Sequence, residues 1–338
     1  MWLRRGLIAA GLATALFAQD AHAGTLEDVR TTGHLNCGIS LGLPGFSFKE
    51  QDGRWTGLDV DTCRAVAAAV LGDAEKVVYT PLSAKERFTA LQSGEVDLLA
   101  RNTTWTLLRD TALELNFAGT TFYDGQGFMV RKSLGLKSAK NLDGAMICVT
   151  LGTTTELNLA SYFQVNNMEL RTNSFENHAD AAAAYEQGKC DAMTGDRSAL
   201  AAFRSEFEDP SAHVILPDTI SKEPLGPVVR HGDDKWFDVV KWSVFALLQA
   251  EESGVTSENV DAMLSSEDPT IQRLLGVSGD TGRQMGLSDD WAYQIIKQVG
   301  NYGEVYERNV GPNTPVGLER GQNAQWKDGG LQYAMPFR

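Results

Sequence analysis

The chain has 338 residues, with 44 acidic against 30 basic side chains, a formal charge of −14, and 43% hydrophobic residues. So acidic a balance excludes nucleic acid and anionic membrane surfaces as partners, because both call for a basic face. The length exceeds one comfortable domain and fits two lobes, each with a core of its own.

Met1-Trp-Leu-Arg-Arg5 is a basic start, Gly6 to Phe17 an apolar run, and Ala21-His-Ala23 a small-residue cleavage site. Together they read as a secretory signal peptide over 1–23, cut after Ala23. The apolar run is about half of the roughly 20 residues that span a bilayer. The expected product is a soluble, exported chain with no cysteine at its new terminus to carry a lipid. Four cysteines in an exported chain point to two disulfides, although counting alone allows three pairings and four buried thiols would be the alternative. Cys37 falls on the first strand and Cys63 on the first helix, while Cys148 and Cys190 fall on strands of the second half. The expected bridges are therefore Cys37–Cys63 and Cys148–Cys190, one per lobe. No Cys-x-x-Cys occurs, and His34, His178, His213 and His231 are scattered, so neither a metal nor a cofactor is expected.

Strands over 35–40 and 77–80 alternate with a helix that follows Arg54 to Asp61 and a helix over 84–93. Cys63, Val66, Ala67, Val70 and Leu71 fall at helical spacing, and Gly72 stops the run. This alternation predicts an α/β fold with a parallel sheet and right-handed crossovers. The stretch Gly94 to Asp110 then reads as a short buried strand over 96–100, a polar turn, and a helix from about Thr106. Ligands collect beyond the carboxyl ends of such strands, and this crevice holds Arg101, Asn102, Thr103, Thr104 and, one helical turn on, Arg109.

A crossing over 117–129 leads to a second lobe with a strand over 145–151. Thr153-x-x-Glu156 is a capping box, and the same helix start offers free N–H groups to an anion. After a helix over 179–187, Gly188 to Asp196 repeats the grammar of Gly94 to Asn102: a glycine stop, an aspartate three residues on, an apolar run, and a polar residue eight places after the glycine. That residue is Asn102 in the first copy and Asp196 in the second. Two copies predict two lobes that face their strand ends toward each other, one offering arginine and hydroxyls, the other a carboxylate. Asp196 could instead cap the helix near Arg197. A guanidinium fork suits a carboxylate and a lone carboxylate suits an ammonium, and a free amino acid carries both. A return crossing over 220–227 completes a hinge, and a helix over 236–252 returns to the first lobe. The tail is expected to be helical over 290–299 and otherwise loop-rich, on the outer surface. The expected division is 24–124 with 228–280, then 125–227, then an extension over 281–338.

Leu58-Asp-Val-Asp61, Leu91-Gln-Ser-Gly94-x-x-Asp97 and Asn102-Thr-Thr-Trp-Thr-x-x-Arg109 resemble signatures of the periplasmic binding proteins of polar amino-acid ABC transporters. Trp291-Ala-Tyr-x-Ile-Ile-Lys-Gln-Val-Gly-Asn-Tyr-Gly303 and Gly329-Gly-Leu-Gln-Tyr333 resemble more narrowly the general L-amino-acid binding subgroup of alphaproteobacteria, which serves glutamate, glutamine, aspartate and asparagine uptake. The resemblance implies a type II binding-protein fold, a monomer in the periplasm, a free L-amino acid as ligand and a membrane ABC permease as partner. It implies that Arg109 clamps the α-carboxylate with Thr104 and the backbone at Thr153 and Thr154. The Asn102 carbonyl and Asp196 would hold the α-ammonium, and Ser40 and Leu43 would face the side chain. Many relatives place an aromatic residue where Ala84 stands and an acidic one near Ser40, so selectivity does not carry over; Arg101 and Lys85 are the candidates for meeting an acidic side chain. The same fold resembles that of cyclohexadienyl dehydratases and of ligand-sensing modules. No histidine falls in either site stretch, so a non-enzyme is expected.

Overall fold

The computed structural model describes residues 24–338, so the expected signal peptide over 1–23 lies outside the described residues. Helix α1 (Gly24–Thr32) leads into β1 (Leu35–Ser40), α2 (Leu58–Leu71), β2 (Val77–Leu82), α3 (Arg87–Ser93), β3 (Leu98–Leu99), α4 (Leu107–Thr111) and β4 (Leu115–Phe117). The chain crosses on β5 (Phe122–Asp124) and continues through β6 (Gln126–Arg131), β7 (Met146–Thr150), α5 (Thr154–Val165), β8 (Arg171–Phe175), α6 (His178–Glu186), β9 (Ala192–Asp196), α7 (Arg197–Ser205) and β10 (His213–Ile215). It returns on β11 (Glu223–Leu225) to β12 (Val228–Arg230) and α8 (Asp234–Glu252), and the tail carries α9 (Trp291–Val299) and α10 (Tyr302–Asn309).

Two five-stranded sheets result, in the orders β2-β1-β3-β12-β4 and β8-β7-β9-β6-β10. In each the strands of the βα units run parallel. The strands beside the crossings, β12 in the first sheet and β6 in the second, are antiparallel. The crossings themselves pair as a two-stranded antiparallel ribbon, Glu223 opposite Asp124 and Leu225 opposite Phe122. Both expected disulfides are formed, Cys37–Cys63 tying β1 to α2 and Cys148–Cys190 tying β7 to the start of β9. Helix α8 returns to the first sheet as expected, its fully buried Trp236 donating Nε1–H to the Asp97 carbonyl at 2.9 Å.

Two elements depart from expectation for local reasons. Helix α3 is bounded at Arg87 rather than near Ala84, although Ser83 and Glu86 exchange side-chain to backbone bonds of 3.1 and 3.2 Å in the pattern of a capping box, so the 84–86 turn leads directly into it. The tail does not turn to loop directly after 299: a reciprocal Asn301–Glu304 capping box starts α10 at once after α9, and only beyond Asn309 is the chain loop-rich as expected. Nor does it only rest on the outside. Trp291, Ile295, Ile296 and Tyr306 are buried, and α9 packs on α2 and α8.

The crossings touch at Gly226, where a Cβ would lie 1.9 Å from the Gly119 carbonyl oxygen. Gly226→Ala is expected to force the two crossings apart and to cost about 1–3 kcal/mol in stability, read as a lowered urea midpoint with unchanged slope.

Candidate functional site

The polar turn after β3 is pinned from three sides. Asn102 has a left-handed φ of 34°, a conformation asparagine tolerates, and its N–H donates to Asp59 Oδ2 at 2.8 Å from the first turn of α2. Arg101 donates Nε–H to the Leu82 carbonyl of β2 at 2.9 Å. The hinge holds the third side: Gly226 N–H donates to the Thr103 carbonyl at 3.0 Å, and Trp105 N–H to the Pro224 carbonyl at 2.8 Å. Thr106 then caps α4 by accepting the Arg109 N–H. This fixes Arg109 one turn in, where Nη1 donates to the Thr104 carbonyl at 2.7 Å and the guanidinium lies 5.0 Å over the Phe88 ring. Its Nε and Nη2 donate to nothing among the described residues, which leaves one edge of the fork open.

On the facing lobe Asp196 ends β9 and is 8% exposed. It stands at the N-cap position of α7 but makes no capping bond; Asp124 of the hinge accepts the Ser198 N–H instead, at 3.2 Å. The capping explanation for Asp196 therefore falls away, and its carboxylate accepts no hydrogen bond among the described residues. Thr153 does cap α5, accepting the Glu156 N–H and donating to the Thr150 carbonyl at 2.7 Å. The expected capping box is half made: the Glu156 carboxylate takes the Gly152 N–H at 2.9 Å rather than that of Thr153. Among the described residues nothing accepts from the N–H groups of Thr153 and Thr154, as is usual for first-turn amides without such a partner.

What joins the two halves is Glu223, on the return crossing and 1% exposed. Oε2 accepts from Thr104 of the first lobe at 2.7 Å and from Thr154 of the second at 2.8 Å, while Oε1 accepts from Asn158 at 2.8 Å and Ser221 at 2.5 Å. Sequence reasoning missed this residue. Its one signal was an acidic side chain on a short crossing that ends in Pro-Leu-Gly-Pro. The lobes also meet at the rim, where Lys85 pairs with Glu176 at 2.8 Å and lies against Gly152. Lys85 is half exposed in that pair and stands outside the group formed by Arg109, Thr104, Thr154 and Glu223. Ser40 is buried at the end of β1, its N–H on Ser47 Oγ at 3.4 Å, and Leu43 is 1% exposed within the hydrophobic core.

Charge is segregated across the contact. Arg87, Arg101 and Arg109 are all buried in the first lobe. Burial pushes Arg101 and Arg109 down to about 10 and Arg87 further, against the pull of the carboxylates. Asp196 is raised well above the usual range by burial, then by Asp124 and Glu223 beside it. Burial also raises Asp124 to about 6 and Asp59 to about 7. Burial lowers His178, which faces the same arginines, to about 3 and keeps it neutral. The arrangement offers an anion a guanidinium edge and free amides, and a cation a desolvated carboxylate at the opposite end.

A scan against family models matches residues 35–265 to the bacterial extracellular solute-binding proteins, family 3. Among curated proteins, the general L-amino acid-binding periplasmic protein AapJ of Rhizobium johnstonii is 54% identical over 99% of this chain and 100% of its own length. The glutamate/glutamine/aspartate/asparagine-binding protein BztA of Rhodobacter capsulatus is 54% identical over 96% of each chain. Among solved structures, an ABC transporter periplasmic binding protein from Brucella ovis with glutathione bound is 56% identical, with a TM-score of 0.92 over 94% of this chain and 100% of that one.

The raised carboxyls set a sign for pH. Asp59 sits near 7 in the fold against 3.8 in a model compound, so its contribution is full below pH 4 and is lost as pH rises through 7. Between pH 5 and 8 the wild-type protein is expected to lose on the order of 2–4 kcal/mol more stability than Asp59→Asn, measured by denaturant unfolding at each pH. Glu223→Ala removes the shared acceptor of both lobes and is expected to cost about 2–4 kcal/mol by the same measurement.

Proposed function

The chain belongs to the bacterial extracellular solute-binding proteins of family 3, and from that premise we propose that it captures free L-amino acids between its lobes and delivers them to a membrane ABC permease. The ligands are polar and acidic amino acids, with glutamate, glutamine, aspartate and asparagine in the set that the named relatives suggest. It does so as an exported monomer, freed of residues 1–23 by cleavage after Ala23, and as a carrier rather than an enzyme. Its halves are 24–124 with 228–280 and 125–227.

The observation that carries this reading is the pair of unshared opposite charges at facing strand ends, the open edge of Arg109 and the carboxylate of Asp196. An α-carboxylate placed against the Arg109 edge would also take the amides of Thr153 and Thr154 and the hydroxyl of Thr104. The α-ammonium would then meet Asp196 and the Asn102 carbonyl, which accepts no bond within the described residues. Ser40 would contribute to the floor, with Leu43 packed behind it. Lys85, tied to Glu176 at the rim, would hold the closed lobes together. Closure expels water and strengthens each charged hydrogen bond, so binding and hinge motion are one event.

The test is calorimetric titration of refolded exported protein with the twenty amino acids and their α-amides. Binding of several polar amino acids that vanishes on amidation is the expected result, and no binding by any of them overturns the reading. Arg109→Ala strands a desolvated carboxylate and is expected to cost about 3–5 kcal/mol of affinity. A loss under about tenfold, roughly 1.4 kcal/mol, would remove Arg109 from the site.

A further inference from the structure

The junction of β9 with α7 is laid residue by residue against the end of the first crossing. Asp196 stands opposite Gln126 in the antiparallel ladder. Arg197 N–H then donates to the Gly125 carbonyl at 2.9 Å, and Ser198 N–H to Asp124 Oδ2 at 3.2 Å. The ladder therefore runs on past the strand and into the first helical turn, with a side chain supplying its last acceptor.

That last bond decides what Asp196 can do. Asp196 occupies the N-cap position of α7, and an N-cap aspartate ordinarily accepts the N–H of the second or third helical residue. The second is Ser198, 3% exposed, whose N–H Asp124 already holds. Two buried carboxylates thus compete at the positive end of one helix. Asp124 is the one held from outside that helix: Oδ1 accepts the Gly125 N–H at 2.8 Å, Glu223 lies opposite it in the ribbon, and the tail's Asn323 bonds both backbone groups of the preceding Tyr123. Asp196 makes no capping bond and is left under the influence of Arg87 and Arg109 of the first lobe.

Resting on the amino-acid reading of the cleft, we infer that Asp124 is a positioning residue for capture: by taking the α7 cap it keeps the Asp196 carboxylate off its own helix and presented to the ligand's ammonium. Without it Asp196 turns back onto the Ser198 N–H, and the ammonium loses its partner although each residue proposed to touch the ligand is unchanged.

The test is a double-mutant cycle on affinity, which separates action through Asp196 from general damage to the hinge. L-Glutamine and L-glutamate are titrated into wild type, Asp124→Ala, Asp196→Asn and the double variant, with unfolding midpoints confirming each fold; Asp124→Val, better suited to a strand end, repeats the cycle. Loss of Asp124 is expected to weaken both ligands about 30-fold in the wild-type background and less than about threefold once Asp196 is asparagine. Asp124→Asn, whose amide oxygen can still accept the Ser198 N–H, is expected to restore affinity to within about fivefold of wild type. Equal losses in the two backgrounds, or an asparagine variant as weak as alanine, would overturn the positioning role and leave the amino-acid reading standing. Failure of the wild-type protein to bind either ligand would overturn both.

Discussion

A carboxylate buried where two lobes meet must have its acceptors filled or it destabilises the contact that buries it. Glu223 is filled by four donors from three places: the site loop of the first lobe, the α5 helix of the second, and the crossing it sits on. Opening the lobes would pull Thr154 and Asn158 away from the carboxylate they share with Thr104. The same backbone segment is bonded to the site loop through Gly226 and Trp105. Rotation of the second lobe thus cannot proceed without disturbing the residues proposed to face the ligand, and the geometry of Thr104 and Arg109 is set in part by the hinge.

That joint explains why opposite charges can sit so near without neutralising each other. The guanidiniums of Arg87, Arg101 and Arg109 are anchored to carbonyls of their own lobe, and Asp124 and Glu223 to amides and hydroxyls around the hinge. Asp196 has no bonded side-chain partner among the described residues and faces arginines too far to pair. A zwitterion laid between them would satisfy both ends at once, which neither side can do alone. On the proposed function, the repeated strand-end grammar of Gly94 to Asn102 and Gly188 to Asp196 would be the trace of two half-sites with complementary charge.

The two lobes, both disulfides and the Arg109 and Asp196 positions were legible because each rests on local rules: a glycine stop, an apolar run of strand length, a polar residue at the strand's carboxyl end. Asp196 as a free carboxylate was not decidable locally, since the rival cap, Asp124, comes from 72 residues earlier in the chain. Glu223, Arg87 and His178 were illegible for the same reason. Each acquires its partners from well away in the chain, Glu223 from both lobes, Arg87 from Arg101 and Thr103, and His178 from Thr150, and none stands at a repeated offset. The α10 helix was hidden differently. Glycines at 300 and 303 read as loop, but the first is a C-cap at φ 88° and the second sits in a first turn already secured by Asn301 and Glu304.

The tail gives the hinge a second constraint. Asn323 brackets Tyr123 of β5, accepting its N–H at 2.7 Å and donating to its carbonyl at 3.0 Å. Tyr302 donates to the Thr121 carbonyl at 2.7 Å, and Tyr306 stacks on Phe122 at 6.1 Å with rings 4° from parallel. Arg320, paired with both oxygens of Glu251 on α8, lies over Tyr302 and Tyr306 and ties this group to the first lobe. The first crossing is thus paired with β11 on one edge and held by the tail on the other. A strand fixed on both edges resists twisting, so the bend open to the second lobe falls beyond Asp124, at Gly125 and the 219–222 stretch. There a Cβ on Gly125 would already lie 2.3 Å from Thr219 and 2.8 Å from the Ser221 carbonyl. The extension thus narrows where the chain can bend between the lobes, and so how much conformational freedom a closure of the proposed kind would remove.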